Sequence, residues 1–212
     1  MKTKEVISVN ISDRKKVQWL SKAIKTGIFK KEVASIFIDI NGVTNDKVVD
    51  LEHHGGEDMA VYAYCKNHYA YFQSMHPEVV FTNGIFGENL TVSNLLETEV
   101  HIGDTFQVRE AIIQVSQPRF PCFKLGIVFG TQKIVKQFLH SSYTGFYFRV
   151  LQKGGVRKKD TLELLQKATN SMTVADVYSI YTTNKTNREF IQKALNLKFL
   201  ADRCKKSIRK KT

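Results

Sequence analysis

Residues 89–115 read NLTVSNLLETEVHIGDTFQVREAIIQV. Apolar and β-branched residues come in short runs at 89–92, 99–101, 105–108 and 111–115. Polar breaks separate them, the clearest at Gly103-Asp104. Runs this short are strand-length, and several of them at such close spacing point to a barrel or sandwich rather than a βαβ sheet. Working outward, residues 5–11 alternate, with Val6, Ile7 and Val9 apolar, and 33–40 and 59–64 are further strand-like runs. Residues 145–151 and 161–165 read as closing strands joined by a polar turn at Lys153-Gly154-Gly155. Helical patterns cover 67–75, with Tyr69 and Phe72 as packing residues, and 131–139.

The pattern changes at 168. Ser171-Met172-Thr173-Val174-Ala175-Asp176 offers an N-cap, and Val174, Val177, Tyr178 and Tyr181 then fall on one side of a helix. Two more helices are expected over about 186–195 and 197–208. The expectation is a mainly β domain with peripheral helices at 1–167 and a small three-helix domain at 168–212.

The chain has 212 residues, 42% of them hydrophobic, enough for a proper core. No apolar run approaches the roughly 18 residues that span a membrane. Residues 1–10 carry Lys2, Lys4 and Glu5 with no apolar h-region, so no secretory signal is expected. Three cysteines, Cys65, Cys122 and Cys204, are too few and odd in number for a disulfide framework, which makes the cytoplasm the expected location. The net charge of +12 raises the question of a nucleic-acid partner. Residues 185–212 account for most of it, with 10 Lys/Arg against 2 acids (+8), leaving 22 against 18 (+4) in 1–184. That tail carries no aromatic stacking platform, so nucleic acid is a poor fit and solvated helix faces a better one.

Three stretches carry chemistry. The most unusual is Ser116-Gln117-Pro118-Arg119-Phe120-Pro121-Cys122-Phe123-Lys124-Leu125. Two prolines stiffen the backbone against helix and central strand alike, so Arg119 and Cys122 should point in fixed directions. A thiolate is a nucleophile and a soft-metal ligand. Arg119 and Lys124 suit a thiolate neighbour and could hold a phosphate. A buried structural cysteine beside a turn explains the stretch equally well. The second is Glu52-His53-His54-Gly55-Gly56, a tight turn exposing imidazoles and backbone N–H groups. Adjacent histidines diverge and no HExxH or CxxC accompanies them, so zinc fits poorly. Hydrogen bonding within the turn, or anion binding by its glycines, fits better. The third is Phe86-Gly87-Glu88-Asn89-Leu90, where Glu88 and Asn89 sit at the mouth of a strand, as site residues or as turn formers. Cys65 is expected in the core, and Cys204 has no assigned role.

Taken together, Glu52 to Gly56, Ala60-Val61-Tyr62, Phe86 to Leu90, Ile102-Gly103-Asp104 and Val115 to Leu125 resemble the MOSC family, named after the C-terminal domain of molybdenum cofactor sulfurases. Order and spacing agree over about 5–166, and the residues from about 171 resemble the three-helix domain that follows MOSC in the stand-alone bacterial hydroxylaminopurine reductase-type subgroup. The resemblance implies a MOSC-type β-barrel holding molybdenum cofactor, a pterin dithiolene carrying Mo and a phosphate. It makes Cys122 the molybdenum ligand, with His53 and His54 as candidate proton donors. Arg119, Lys124, Gly55, Gly56, Glu88, Asn89, Ser116 and Gln117 would surround the cofactor. It further implies reduction of N-hydroxylated compounds to amines as detoxification, or alternatively a non-enzymatic cofactor or sulfur carrier using the same cysteine. Glu52 stands where a basic residue is expected, and Asn45 where a Gly precedes the Asp. No NAD or flavin fingerprint and no PLP-dependent domain is present, so electrons would come from a reductase partner.

Overall fold

The structure, a computed structural model, describes residues 2–49 and 55–210. In chain order the described elements are β1 (Val6–Ile11), β2 (Lys15–Trp19), β3 (Lys22–Thr26), β4 (Lys31–Val33), β5 (Ser35–Asp39), β6 (Gly42–Val43), β7 (Val61–Cys65), α1 (Tyr69–Met75), β8 (Leu90–Val92), β9 (Thr105–Val108) and β10 (Ala111–Pro118). There follow α2 (Phe123–Val128), α3 (Lys133–Ser141), β11 (Phe146–Gln152), β12 (Gly154–Arg157), β13 (Leu162–Gln166), α4 (Val174–Ser179), α5 (Arg188–Leu195) and α6 (Asp202–Arg209). The protein is mainly β with helices, as the short strand runs implied.

Eight strands form one sheet in the order β13-β9-β10-β11-β7-β8-β1-β4. Every pairing in it is antiparallel except β7 with β8. The sheet curls until β1 and β13 meet. Glu5 bridges Thr161, and Leu162 N–H donates to Lys4 O at 2.8 Å while Val6 N–H donates to Asp160 O at 2.8 Å. Alternating residues of β11, Phe146, Phe148 and Val150, turn inward. Strand β7 is buried along its whole length, because helices cover its second face, and it therefore reads as an unbroken apolar run.

Two apolar clusters result. One fills the curled sheet with Val9, Val61, Phe106, Ile113, Phe146 and Phe148, and continues without a break into Val177, Ile191, Leu200 and Ile208 of the C-terminal helices. The other is aromatic: Tyr62, Tyr64, Tyr69, Phe72, Phe86, Phe129 and Phe138, packed beneath α1, α2 and α3. Tyr64 stacks on Phe86 with centroids 4.3 Å apart.

Several expectations need correction. Residues 99–101 form no strand. His101 makes one isolated bridge to Thr173, and the Asp104 carboxylate holds the turn by accepting from His101 N–H at 2.8 Å. Gly154 and Gly155 belong to β12, which pairs with β5, rather than to a turn. A Cβ on Gly154 would lie 2.6 Å from Ala111 N, so glycine here permits close strand approach. The proline segment is also less irregular than expected. Strand β10 runs through Ser116 and Gln117 to end at Pro118, and Pro121 precedes the cap residue of α2, so each proline sits where its missing N–H is not needed. The ribbon β2–β3 carried no strand signal, because lysines occupy both its strands.

Candidate functional site

A cavity of about 380 Å³ opens where β3, β6, β7, the 86–89 turn and the β10–α2 connection converge. Cys122, Arg119, Lys124, Gly55 and Asn89 line it, together with Lys30, Asp46, Tyr62 and Tyr147. Glu52, His53 and His54 lie outside the described residues. Gly56, Glu88, Ser116 and Gln117 are not part of the lining.

Cys122 is the cap residue preceding α2, with extended backbone (φ −123°, ψ 165°), and is partly exposed. Three residues earlier, Arg119 is 5% exposed. Its guanidinium lies 5.3 Å from the Tyr62 ring and 4.9 Å from the Phe138 ring, and faces the Tyr147 hydroxyl. Among the described residues no carboxylate pairs with it, and its Nη1 has no hydrogen-bond partner. Burial works against the charge, but the facing Tyr62, Cys122, Tyr147 and Tyr64 groups outweigh it and hold the pKa above its ordinary value. The result is a charged, buried donor on a cavity wall with unused capacity, which is the arrangement that accepts an anion.

The opposite wall is charge-neutral. Lys30 and Asp46, both almost fully buried, form a short ion pair. Asp46 also accepts from Ser12 N–H at 2.8 Å and from Asn89 Nδ2 at 2.9 Å. Burial pushes the Lys30 pKa down, only partly opposed by Asp46. Burial would raise Asp46, but Lys30, Asn89 and Ser12 overcome it and hold the carboxyl below its usual range. Asn89 is fully engaged: Tyr62 N–H donates to its Oδ1 at 3.2 Å, and its Nδ2 also reaches Asn10 O at 3.3 Å. Asn89 therefore shapes the wall and orients Asp46. Asn45, before this aspartate, has φ 65°, a left-handed conformation that Asn tolerates much as Gly does.

Glu88 sits behind the cavity. Its carboxylate accepts from Tyr69 O–H in a short bond, from Gly84 N–H at 3.1 Å, from Phe86 N–H at 3.1 Å and from Thr91 O–H at 2.9 Å. Burial lifts its pKa against these bonds. Glu88 ties the 84–88 turn together, and Gly87 takes φ 85° there. Ser116 donates to Asp58 O at 2.5 Å and lies within 2.9 Å of Tyr147 O, anchoring the turn that follows Gly55. Gln117 is buried, with an Oε1 that finds no partner among the described residues.

The C-terminal helices brace the cysteine connection. Phe120 stacks on Tyr178 at 5.4 Å and meets Tyr181 at 4.1 Å. Ala201 N–H donates to Ser116 O at 3.0 Å. Arg149 joins Asp58 Oδ1, Gln114 Oε1 and Phe199 O with three donors. Lys30, Asp46, Tyr62 and Tyr147 were not identified as site residues from sequence. Lys30 and Asp46 are 16 positions apart on separate loops, and no local pattern marks them. Tyr62 and Tyr147 read as ordinary strand aromatics.

A curled sheet with a cysteine and a buried arginine on the cavity-lining strand–helix connection defines a MOSC fold, and a MOSC domain model matches residues 50–163. The chain belongs to the MOSC family. Protein YflK of Bacillus subtilis (strain 168) is 37% identical over 207 residues, covering 97% of this chain and 93% of that protein. The crystal structure of YiiM from Geobacillus stearothermophilus superposes with a TM-score of 0.82 at 28% identity, covering 98% of each chain, so the likeness extends through the C-terminal helices. A protein named "Reductase" from Gibberella moniliformis (strain M3125 / FGSC 7600) is 28% identical over 178 residues, 82% of this chain and 32% of that protein.

Proposed function

We propose that this protein is a molybdenum-cofactor-dependent reductase that converts N-hydroxylated compounds, such as hydroxylaminopurine-type bases, to amines. One observation carries the reading: Cys122 and Arg119 line the same cavity, and the buried Arg119 Nη1 has no hydrogen-bond partner among the described residues. A single thiolate with a guanidinium beside it suits a metal that brings ligands and negative charge of its own, which a pterin dithiolene does. When bound, that group supplies a two-electron centre that takes up oxygen from a substrate.

The chain's own residues divide the remaining work. Cys122 offers the one protein thiolate ligand. Arg119, which lies between the Tyr62 and Phe138 rings, would meet the cofactor's negative charge. Lys124 adds positive charge to the same wall, and the Lys30–Asp46 pair adds polarity without net charge to the other. His53 and His54, which precede Gly55 in the sequence, are the proposed proton donors, because imidazole titrates near neutrality. The overall change is R–NHOH + 2 e⁻ + 2 H⁺ → R–NH₂ + H₂O, with the electrons from a donor protein. The name of the Gibberella relative agrees with reductive chemistry.

The test uses protein from a cofactor-making host, 6-hydroxylaminopurine and dithionite-reduced methyl viologen. Adenine should form, and Cys122→Ala should abolish the rate. Loaded protein that forms no adenine would favour the carrier reading, and a Cys122→Ala variant at full rate would remove the thiolate from the chemistry.

A further inference from the structure

The ribbon β2–β3 pairs with no strand of another sheet. Residues 14–26 hold Arg14, Lys15, Lys16, Lys22 and Lys25 and not one acid. Lys16 and Lys25 are register partners directly across the ribbon, both exposed. Like charges so placed destabilise a ribbon that is marginal to begin with. The loop is strained as well. Leu20 (φ 44°) and Ser21 (φ 63°) both adopt positive φ, the pattern of a type I′ turn that normally calls for Asn-Gly. Leu20 nevertheless stands 75% exposed at the tip. Below it, Trp19, Leu20, Lys22 and Ile24 form a cleft with Phe123 and Gln132. Phe123 is 47% exposed and directly follows Cys122, so the cleft and the catalytic cavity are neighbours across one peptide bond. Just past β3, Gly27, Ile28 and Lys30 line the cavity itself.

Two lysines facing each other across the ribbon, a left-handed leucine with no burial to reward it, and an apolar cleft beside the reacting cysteine each cost the isolated chain stability. A bound acidic surface with an apolar anchor would relieve all three. We infer that the β2–β3 ribbon and the Trp19–Phe123 cleft form the docking surface for the acidic electron-transfer protein that supplies the reduction. The inference rests on the proposed reductase reading for its electrons. Two donor molecules each lose one electron, and the substrate takes both with two protons, delivered by the proposed His53 and His54 donors and replaced from solvent.

The experiment compares full-length cofactor-loaded wild type with Lys16→Glu/Lys25→Glu and with Leu20→Gly. Neither change touches the cavity lining. Donors are methyl viologen, which needs no docking, and two acidic proteins, flavodoxin hydroquinone and a reduced [2Fe–2S] ferredoxin. At least one acidic protein should drive wild-type turnover. Its rate should fall about tenfold in the double variant and fade with added salt. Leu20→Gly should weaken that donor while raising the melting temperature. Viologen-driven rates should stay unchanged in both variants. Equal rates with the acidic donor in all three proteins would overturn the inference, as would a parallel fall with viologen or wild type that accepts neither acidic protein. If viologen gives no turnover at all, the reductase reading fails separately. Anisotropy of labelled flavodoxin and ferredoxin then decides the surface: binding weakened about tenfold by the charge reversal supports it, and no binding overturns it. A labelled 20-mer of single-stranded DNA that binds more tightly than either protein and is lost in the double variant would assign the ribbon to nucleic acid instead.

Discussion

Arg119 is a buried guanidinium, and among the described residues no carboxylate pairs with it. Two aromatic faces recover part of the desolvation penalty, since cation–π contacts in buried settings contribute about 2 kcal/mol. Arg119→Met should leave the unloaded protein equally stable or more stable by about 1–4 kcal/mol. Thermal melts check this, and a melting temperature lowered by several degrees would mean that Arg119 has a structural partner. The cysteines make a parallel contrast. Burial pushes the Cys65 thiol up to about 11 and the Cys204 thiol up to about 12, while Cys122 faces the cavity. Alkylation of the folded protein at neutral pH should show one fast-reacting thiol, absent in Cys122→Ala. Cys122 and Arg119 were legible in the sequence because two prolines hold them in one short, stiff segment. Glu88 could be read from sequence either as a site residue or as a turn former, because a carboxylate in a glycine turn suits both, and only the fold shows its four donors turned inward.

At the scale of elements, the cysteine connection depends on partners far along the chain. Phe120 lies between β10 and α2 and is packed against Tyr178 and Tyr181 beyond it in sequence. Phe120→Ala should cost about 2 kcal/mol, less than a fully buried phenylalanine because Phe120 is partly exposed, and should speed alkylation of Cys122. An unchanged labelling rate would show that the helices do not hold the cysteine in place. The Lys30–Asp46 pair fixes the other wall. Asp46→Asn leaves a buried ammonium unpaired and should cost about 3–5 kcal/mol. The acid dependence follows from the sign of the shift. The Asp46 carboxyl is held below its usual pKa in the fold, so its stabilisation is complete above the unfolded value of about 3.9 and fades as pH falls through the lower folded value. Urea midpoints between pH 5 and pH 2.5 should drop less steeply in Asp46→Asn than in wild type. Elements with regular signals, such as β10 and α3, were readable. The ribbon was not, because its strands are lysine-rich and its turn is Leu-Ser, and neither was β12, because glycines there serve close strand packing.

For the whole molecule, the net charge of +12 proved less informative than its distribution. Assigning the excess to the tail hid a local concentration in residues 14–26, which the fold sets beside the cavity. Likewise, the change of pattern at 168 comes six residues before α4, yet the apolar cluster of the sheet runs on into α4, α5 and α6, and one of their tasks is to brace the site. Short strands in sequence give the class of fold, but which residues share a wall depends on the curl of the sheet. The proposed function requires that the cavity hold a molybdenum pterin, with Cys122 as its protein ligand and Arg119 as its anion partner. The direct measurement is molybdenum by mass spectrometry and pterin by fluorescence on protein purified from a cofactor-making host. Wild type should carry both in near-equal amounts, Cys122→Ala should lose molybdenum, and Arg119→Met should lose both. Wild type free of both, or three proteins with identical contents, would contradict the account.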